Sequence, residues 1–200
     1  KTNGRLPNQP QQARSIKTLE HISDTTAKLL DQDGYASLNT NVIAKESGLA
    51  VATLYNYFPN KESIVETLLQ RMNEKRMEVI YQAAQKEGDW REVTKHTINC
   101  LLKFMLEEPG YIAIKDAVNS SEKLQALEIN KNKGLVDELF KASSTKLSKK
   151  SKEQLKVVAE VVQEAASSVI KIARNAPSAK RSRVQQALAT LIISYLENDA

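Results

Sequence analysis

Thr40-Asn41-Val42-Ile43-Ala44-Lys45-Glu46-Ser47-Gly48-Leu49-Ala50-Val51-Ala52-Thr53-Leu54-Tyr55-Asn56-Tyr57-Phe58 is the stretch on which the fold turns. Its apolar positions, Ile43, Ala44, Leu49, Leu54 and Phe58, define two short helices. These span about 40–47 and 51–57, separated by Ser47-Gly48-Leu49. Ala44 is small where two helices would cross closely. Gly48 can supply the left-handed conformation that a tight interhelical turn needs. The pattern fits a helix-turn-helix, whose second helix enters the major groove of DNA. A helical hairpin that only packs has the same spacing, so the surface residues carry the distinction.

Those residues have the chemistry of phosphate contacts. Thr40 opens the first short helix, where a hydroxyl and free backbone N–H groups can hold a phosphate. Thr53, Tyr55, Asn56 and Tyr57 crowd the second helix, and Lys61 places a charge at the start of the next.

Outward from this stretch the apolar period is helical throughout. Ile16, Leu19, Ile22, Thr26, Leu29 and Leu30 line a first helix that Gly34 ends. Asn60 can cap a long helix carrying Ile64, Leu68, Met72 and Val79. Asp89 with Glu92, and Ser151 with Gln154, have capping-box spacing. The helix from Asp89 runs to Glu108, and Ser121 opens another stretch to about Leu147. Six Gly and five Pro in 200 residues fall well below the usual roughly 12% for the pair, and most mark joints between helices. No alternating strand-type run appears. The expectation is an all-α protein of about nine helices. It divides into a mobile N-terminal arm (1–14), a helix-turn-helix unit (15–65) and a larger helical bundle (66–200).

Gly34-Tyr35, Ile43-Ala44, Gly48-Leu49, Thr53-Leu54-Tyr55-Asn56-Tyr57-Phe58 and Lys61-Glu62 resemble the DNA-binding domain of the TetR family of transcriptional regulators over about residues 22–69. The resemblance implies phosphate contacts at Thr40, Thr53, Tyr57 and Lys61. It implies base-facing positions at Val51, Ala52, Tyr55 and Asn56. Many relatives have a Ser cap where this chain has Ala50, which weakens the helix start by about 1 kcal/mol. The Val51-Ala52 pair favours thymine methyl groups, and Asn56 suits adenine. An A·T-leaning half-site is therefore expected. Lys1, Arg5 and Arg14 give the arm the charge to follow a minor groove, against the plainer reading of a disordered tail.

The last helix steps Val184, Ala187, Leu188, Leu191, Ile192, Tyr195 and Leu196. The resemblance implies a homodimer through the last two helices, with Val162, Val169, Leu188, Leu191, Ile192 and Tyr195 at the interface. It also implies a small-molecule effector bound among the middle helices. Trp90, Phe104, Met105, Tyr111 and Phe140 are the candidate liners, although at helical spacing such residues are commonly plain core. Their mixture of aromatics and Met points to an apolar or amphipathic effector. Glu92, His96 and Cys100 share a helix face and could hold a metal or sense oxidants. Their apolar surroundings favour Cys100 as a small buried hydrophobe, and no metal or other cofactor is expected.

The one cysteine fits a reducing, cytoplasmic setting. No signal-peptide pattern opens the chain, and no apolar run approaches the ~20 residues of a membrane span. Residues 1–75 hold nine basic and eight acidic side chains, against eleven and five in residues 141–200. The basic excess, including the Lys-rich stretch 141–156, is therefore at the end opposite the DNA-binding pattern. The function expected is a ligand-responsive dimeric regulator, a repressor on a palindromic operator. An enzyme would need a phosphate loop, nucleophile motif or acid/base pair, and none stands at recognisable spacing. A helical interaction module would leave the Thr/Tyr/Lys pattern at 40–61 unexplained.

Overall fold

The computed structural model describes residues 9–128 and 152–197. Every regular element among the described residues is helical. The order is α1 (Gln9–Ser37), α2 (Thr40–Glu46), α3 (Val51–Tyr57), α4 (Lys61–Ala84), α5 (Trp90–Glu107), α6 (Tyr111–Asn119), α7 (122–128), α8 (Lys152–Arg174) and α9 (Ser178–Glu197). The all-α reading and its helix count match this architecture. One contiguous core runs through the described chain, from Ile22 on α1 to Ile192 on α9.

α1 buries Ile22, Thr26, Leu29 and Leu30 on one face. Thr26 is tolerated there because its hydroxyl donates to the Ile22 carbonyl at 2.7 Å. The buried face begins later than expected. Ile16 is half exposed, and core packing starts only at Leu19. α1 itself begins at Gln9, so its first turns occupy part of the expected arm. Gly34, at φ 74° and ψ 173°, interrupts the helix where the sequence predicts an end.

The α2–α3 turn is a Schellman motif. The Leu49 N–H donates to the Ala44 carbonyl at 2.9 Å and the Gly48 N–H to the Lys45 carbonyl at 3.0 Å. Gly48 takes φ +65°, and Leu49 packs back on the core. Asn39 caps α2 by accepting from the Val42 N–H, whereas Ala50 gives α3 no side-chain cap. Asn60 and Ser63 form a reciprocal capping box that starts α4. α4 then runs unbroken through the expected 65/66 division.

Asp89 caps α5 as expected, but its carboxylate takes the Arg91 N–H and not that of Glu92. Pro109-Gly110 ends α5, and Gly110 carries the chain into α6 at φ +73°. There its Cα faces α1 so closely that a Cβ would lie 2.9 Å from the Ala27 carbonyl oxygen. The expected cap Ser151, and the stretch 129–151 with Phe140 and most of the Lys-rich run, lie outside the described residues.

The stripe on α9 divides into two faces. Leu188 and Ile192 are buried in the chain's own core, at 6% and 8% exposure, and Leu196 packs beside them. Leu191 and Tyr195 point away, at 69% and 47%. On α8 the fully buried line is Ala166, Ile170 and Ala173, with Val162 and Val169 half-buried against the core. Val157, Val161 and Ile172 are exposed. Leu188 and Ile192 are thus enclosed within the single chain while Leu191 and Tyr195 stay exposed, because that stripe is wide enough to serve two surfaces and α9 packs against both α5 and α8.

Candidate nucleic-acid interface

α3 is fastened by Leu54, which is fully buried in the core cluster with Ile43 and Ala44 of α2. Val51, Ala52, Tyr55 and Asn56 are exposed. Their i, i+1, i+4, i+5 spacing places them on a single helix face. The Thr40 hydroxyl lies 3.1 Å from that of Tyr55, so the start of α2 and the face of α3 meet at the surface. Thr53 and Tyr57 are half-buried, and the Tyr57 ring packs against the core. The four expected base-facing residues are therefore together. Among the expected phosphate contacts, Thr40 meets this face through its hydroxyl contact with Tyr55.

Lys61 departs from the expectation. Its Nζ donates to the carbonyls of Leu38 (3.2 Å) and Tyr35 (3.4 Å) and sits 4.3 Å from the centre of the Tyr35 ring. The Tyr35 hydroxyl in turn donates to Glu62 Oε1 at 3.2 Å. Burial, reinforced by the Glu62 charge, raises the Tyr35 pKa above its ordinary value. Lys61 thus clasps the α1–α2 connection instead of reaching outward, because two backbone carbonyls and a ring satisfy its ammonium. A second unforeseen tie joins His21 Nε2 to the Ser47 carbonyl at the end of α2, at 3.1 Å. In the sequence, Gly34-Tyr35 and Lys61-Glu62 stand out as motif letters, yet nothing in the letters marks them as partners.

Of the expected effector liners, Phe104, Met105 and Tyr111 belong to or pack against the core, whereas Trp90 is half-buried outside it and Phe140 lies outside the described residues. Met105 and Tyr111 are buried, and the Phe104 and Tyr111 rings meet edge-on at 6.2 Å. Trp90 lies at the start of α5 with the Arg91 guanidinium 4.7 Å from its ring. None of them lines either of two surface cavities. One cavity, of about 280 Å³, lies between α1, α4 and the α5–α6 turn. The other, of about 430 Å³, lies between α5, α8 and α9.

Beside Tyr111 is a polar group that the sequence reading passed over. Asn73 and Arg76 of α4 are buried, as are Lys115 of α6 and Glu128 of α7, which form an ion pair at 2.6 Å. Neither polar atom of the Asn73 side chain has a hydrogen-bond partner among the described residues. Burial, opposed by the nearby Arg76 charge, pushes the Tyr111 hydroxyl up to about 12.

Cys100 is half-buried and lies 3.6 Å from His96 Nε2. It is thus less enclosed than expected. Among the described residues no three His, Cys, Asp or Glu side chains are grouped to hold a metal ion. No described helix is long and apolar enough to cross a membrane.

This geometry has known counterparts. A family model described as bacterial regulatory proteins, tetR family, matches residues 22–68. A second, the tetracyclin repressor-like C-terminal domain, matches residues 88–200. The chain is 33% identical over 97 residues to the uncharacterized HTH-type transcriptional regulator YvkB of Bacillus subtilis, covering 48% of this chain and 50% of that protein. The chain spans about half the length of the curated relatives it matches. A TetR-family regulator from Streptomyces coelicolor shares the fold at TM-score 0.69 and 22% identity, over 90% of this chain and 97% of that one. The fatty acid degradation regulator FadR from Bacillus halodurans does so at TM-score 0.72 and 19% identity, with the same coverage. The helix-turn-helix and the bundle behind it are both accounted for by these matches, and the chain belongs to the TetR family of bacterial regulatory proteins.

Proposed function

We propose that the protein is a homodimeric, ligand-responsive transcriptional regulator, a repressor that binds a palindromic operator through α3. The observation that carries this reading is the exposed face of Val51, Ala52, Tyr55 and Asn56, set beside Thr40 and held from behind by Leu54. Thr40, Thr53 and Tyr57 position the phosphates, while the α3 face meets base edges. Lys61 acts indirectly, by fixing the connection into α2. Members of the family are transcriptional regulators, generally without enzymatic activity, and we place this one in the cytoplasm with its operator.

Dimerisation uses the outward face of α8 and α9, where Val157, Val161, Ile172, Leu191 and Tyr195 form the exposed apolar surface. A two-fold dimer presents two α3 helices to half-sites about 34–36 Å apart or a multiple of that. The two functional units share α4, which carries Lys61 near one end and Asn73 and Arg76 further along. At 1.5 Å per residue this helix is roughly 36 Å long, so it can act as a lever. We place the effector against the buried polar group of α4, α6 and α7. The chemistry there favours an amphipathic molecule whose polar end meets Asn73. Effector binding shifts the population towards a form whose α3 helices are misplaced for successive major grooves.

Selection of binding sites from a random DNA pool, followed by anisotropy on the winners, tests the proposal. Recovery of a palindrome with A·T-rich half-sites is the expected result. G·C-rich half-sites would overturn the base assignment, and no enriched sequence would overturn DNA recognition itself.

A further inference from the structure

The 430 Å³ cavity between α5, α8 and α9 has a chemistry unlike the rest of the bundle. On α9, Leu188 and Ile192 are buried on the helix that packs against α5 and α8. Carried one and two turns back, the same face presents Gln185 and Arg181. On α5 the facing residues are Asn99, Lys103, Leu106 and Glu107, and the end of α8 adds Arg174. The packed seam therefore opens where aliphatic side chains give way to long polar ones. Three cations and one carboxylate line the opening. Arg174 also pairs with Asp31 of α1 at 3.3 Å, whereas Lys103 and Arg181 make no ion pair among the described residues. The Nε of Arg181 is buried and has no hydrogen-bond partner among the described residues. Buried donors without partners are uncommon in native structures. A concave site with an excess of one sign of charge concentrates counter-ions of the other.

We propose that this cavity is a binding site for a small anionic ligand carrying carboxylate or phosphoryl groups. Its volume is in the range of small-molecule sites. The guanidinium of Arg181 presents the planar fork that matches either anion, and Lys103 adds a point charge. Leu106 and the aliphatic stems of the cations form an apolar wall. A ligand there bridges α5 and the facing ends of α8 and α9. It also gives the basic C-terminal region a role that DNA contact does not supply. The site stands whether or not the chain recognises an operator.

Isothermal titration calorimetry of the full chain, without DNA, tests this with citrate and inorganic pyrophosphate as separate probes. The expected result is saturable binding of at least one probe, one per chain. The preferred probe tells a carboxylate site from a phosphoryl site. Arg181→Gln should weaken binding about tenfold or more, the usual loss for a charge-assisted hydrogen bond. Glu107→Gln should tighten it roughly two- to fivefold, the scale of an exposed charge interaction. A gain cannot come from misfolding, so the opposed pair separates a site from a damaged fold. No saturable binding of either probe overturns the proposal. So does equal affinity in the parent protein and both variants.

Discussion

Gly48 and Gly110 share nearly the same left-handed dihedral, φ +65° and +73°, in opposite surroundings. A Cβ added at Gly48 would meet nothing within 4 Å. At Gly110 it would lie 2.9 Å from the Ala27 carbonyl oxygen and 3.3 Å from both Ala27 Cα and Cβ. Gly48→Ala should therefore cost only the dihedral strain, about 1 kcal/mol. Gly110→Ala should cost the same strain plus overpacking of about 1–3 kcal/mol, or about 2–4 kcal/mol together. The obstacle is backbone, so no rotamer change relieves it without moving α6 from α1. Urea denaturation at one fixed protein concentration measures both variants. In melting temperature each kcal/mol is worth roughly 2–4 °C for a chain of this size. Equal destabilisation within about 0.5 kcal/mol would refute the close α1–α6 contact as the source of the difference.

Three further outcomes follow from the same geometry. Asn56→Ala should cost about 1–3 kcal/mol at one base position and relax preference there. Binding titrations on single-base operator variants will show it, and a uniform loss on all sequences would count against the base-facing role. Leu191→Asp should leave far-ultraviolet dichroism intact but give a monomer in analytical ultracentrifugation, because Leu191 is exposed in the single chain. Leu188→Asp should unfold the protein, and the reverse pattern would contradict the division of α9 into two faces. The Tyr111 pKa is raised to about 12 in the folded chain against an ordinary 10. The folded state therefore holds its proton longer, and the associated stability is lost as pH rises from 10 to 12. The loss should reach about 2–3 kcal/mol. Denaturation curves across that window should fall less steeply in Tyr111→Phe, and parallel curves would remove the effect from Tyr111.

What could be read from the sequence was local. The Schellman turn at Gly48-Leu49, the Asn60 cap and the missing cap at Ala50 each depend on residues a few positions apart, so their letters are sufficient. That Val51, Ala52, Tyr55 and Asn56 share one face of α3 follows from helix period in the same way, whereas the expectation that this face meets bases came from the family resemblance. Lys61 was opaque because its partners are carbonyls of Tyr35 and Leu38, and a backbone carbonyl has no letter. Leu188 and Leu191 were indistinguishable because hydrophobicity marks a buried face without saying what buries it. Asn73, Arg76, Lys115 and Glu128 carry letters that signal solvent. Only tertiary packing reveals that they are enclosed together in the bundle.

The clasp that turns Lys61 inward bears on how the protein would find its operator. Affinity for bulk DNA comes largely from releasing counter-ions condensed on phosphates, and each engaged lysine or arginine contributes to that release. Here the lysine that opens α4 is occupied with its own chain, and residues 1–75 hold nearly as many acids as bases. The logarithm of operator affinity should therefore fall with a shallow slope against the logarithm of salt concentration. Residence on unrelated sequence should be brief. Such a regulator would search by frequent dissociation and three-dimensional return rather than by long sliding, and as the homodimer proposed above it would depend on two α3 helices arriving together to be held.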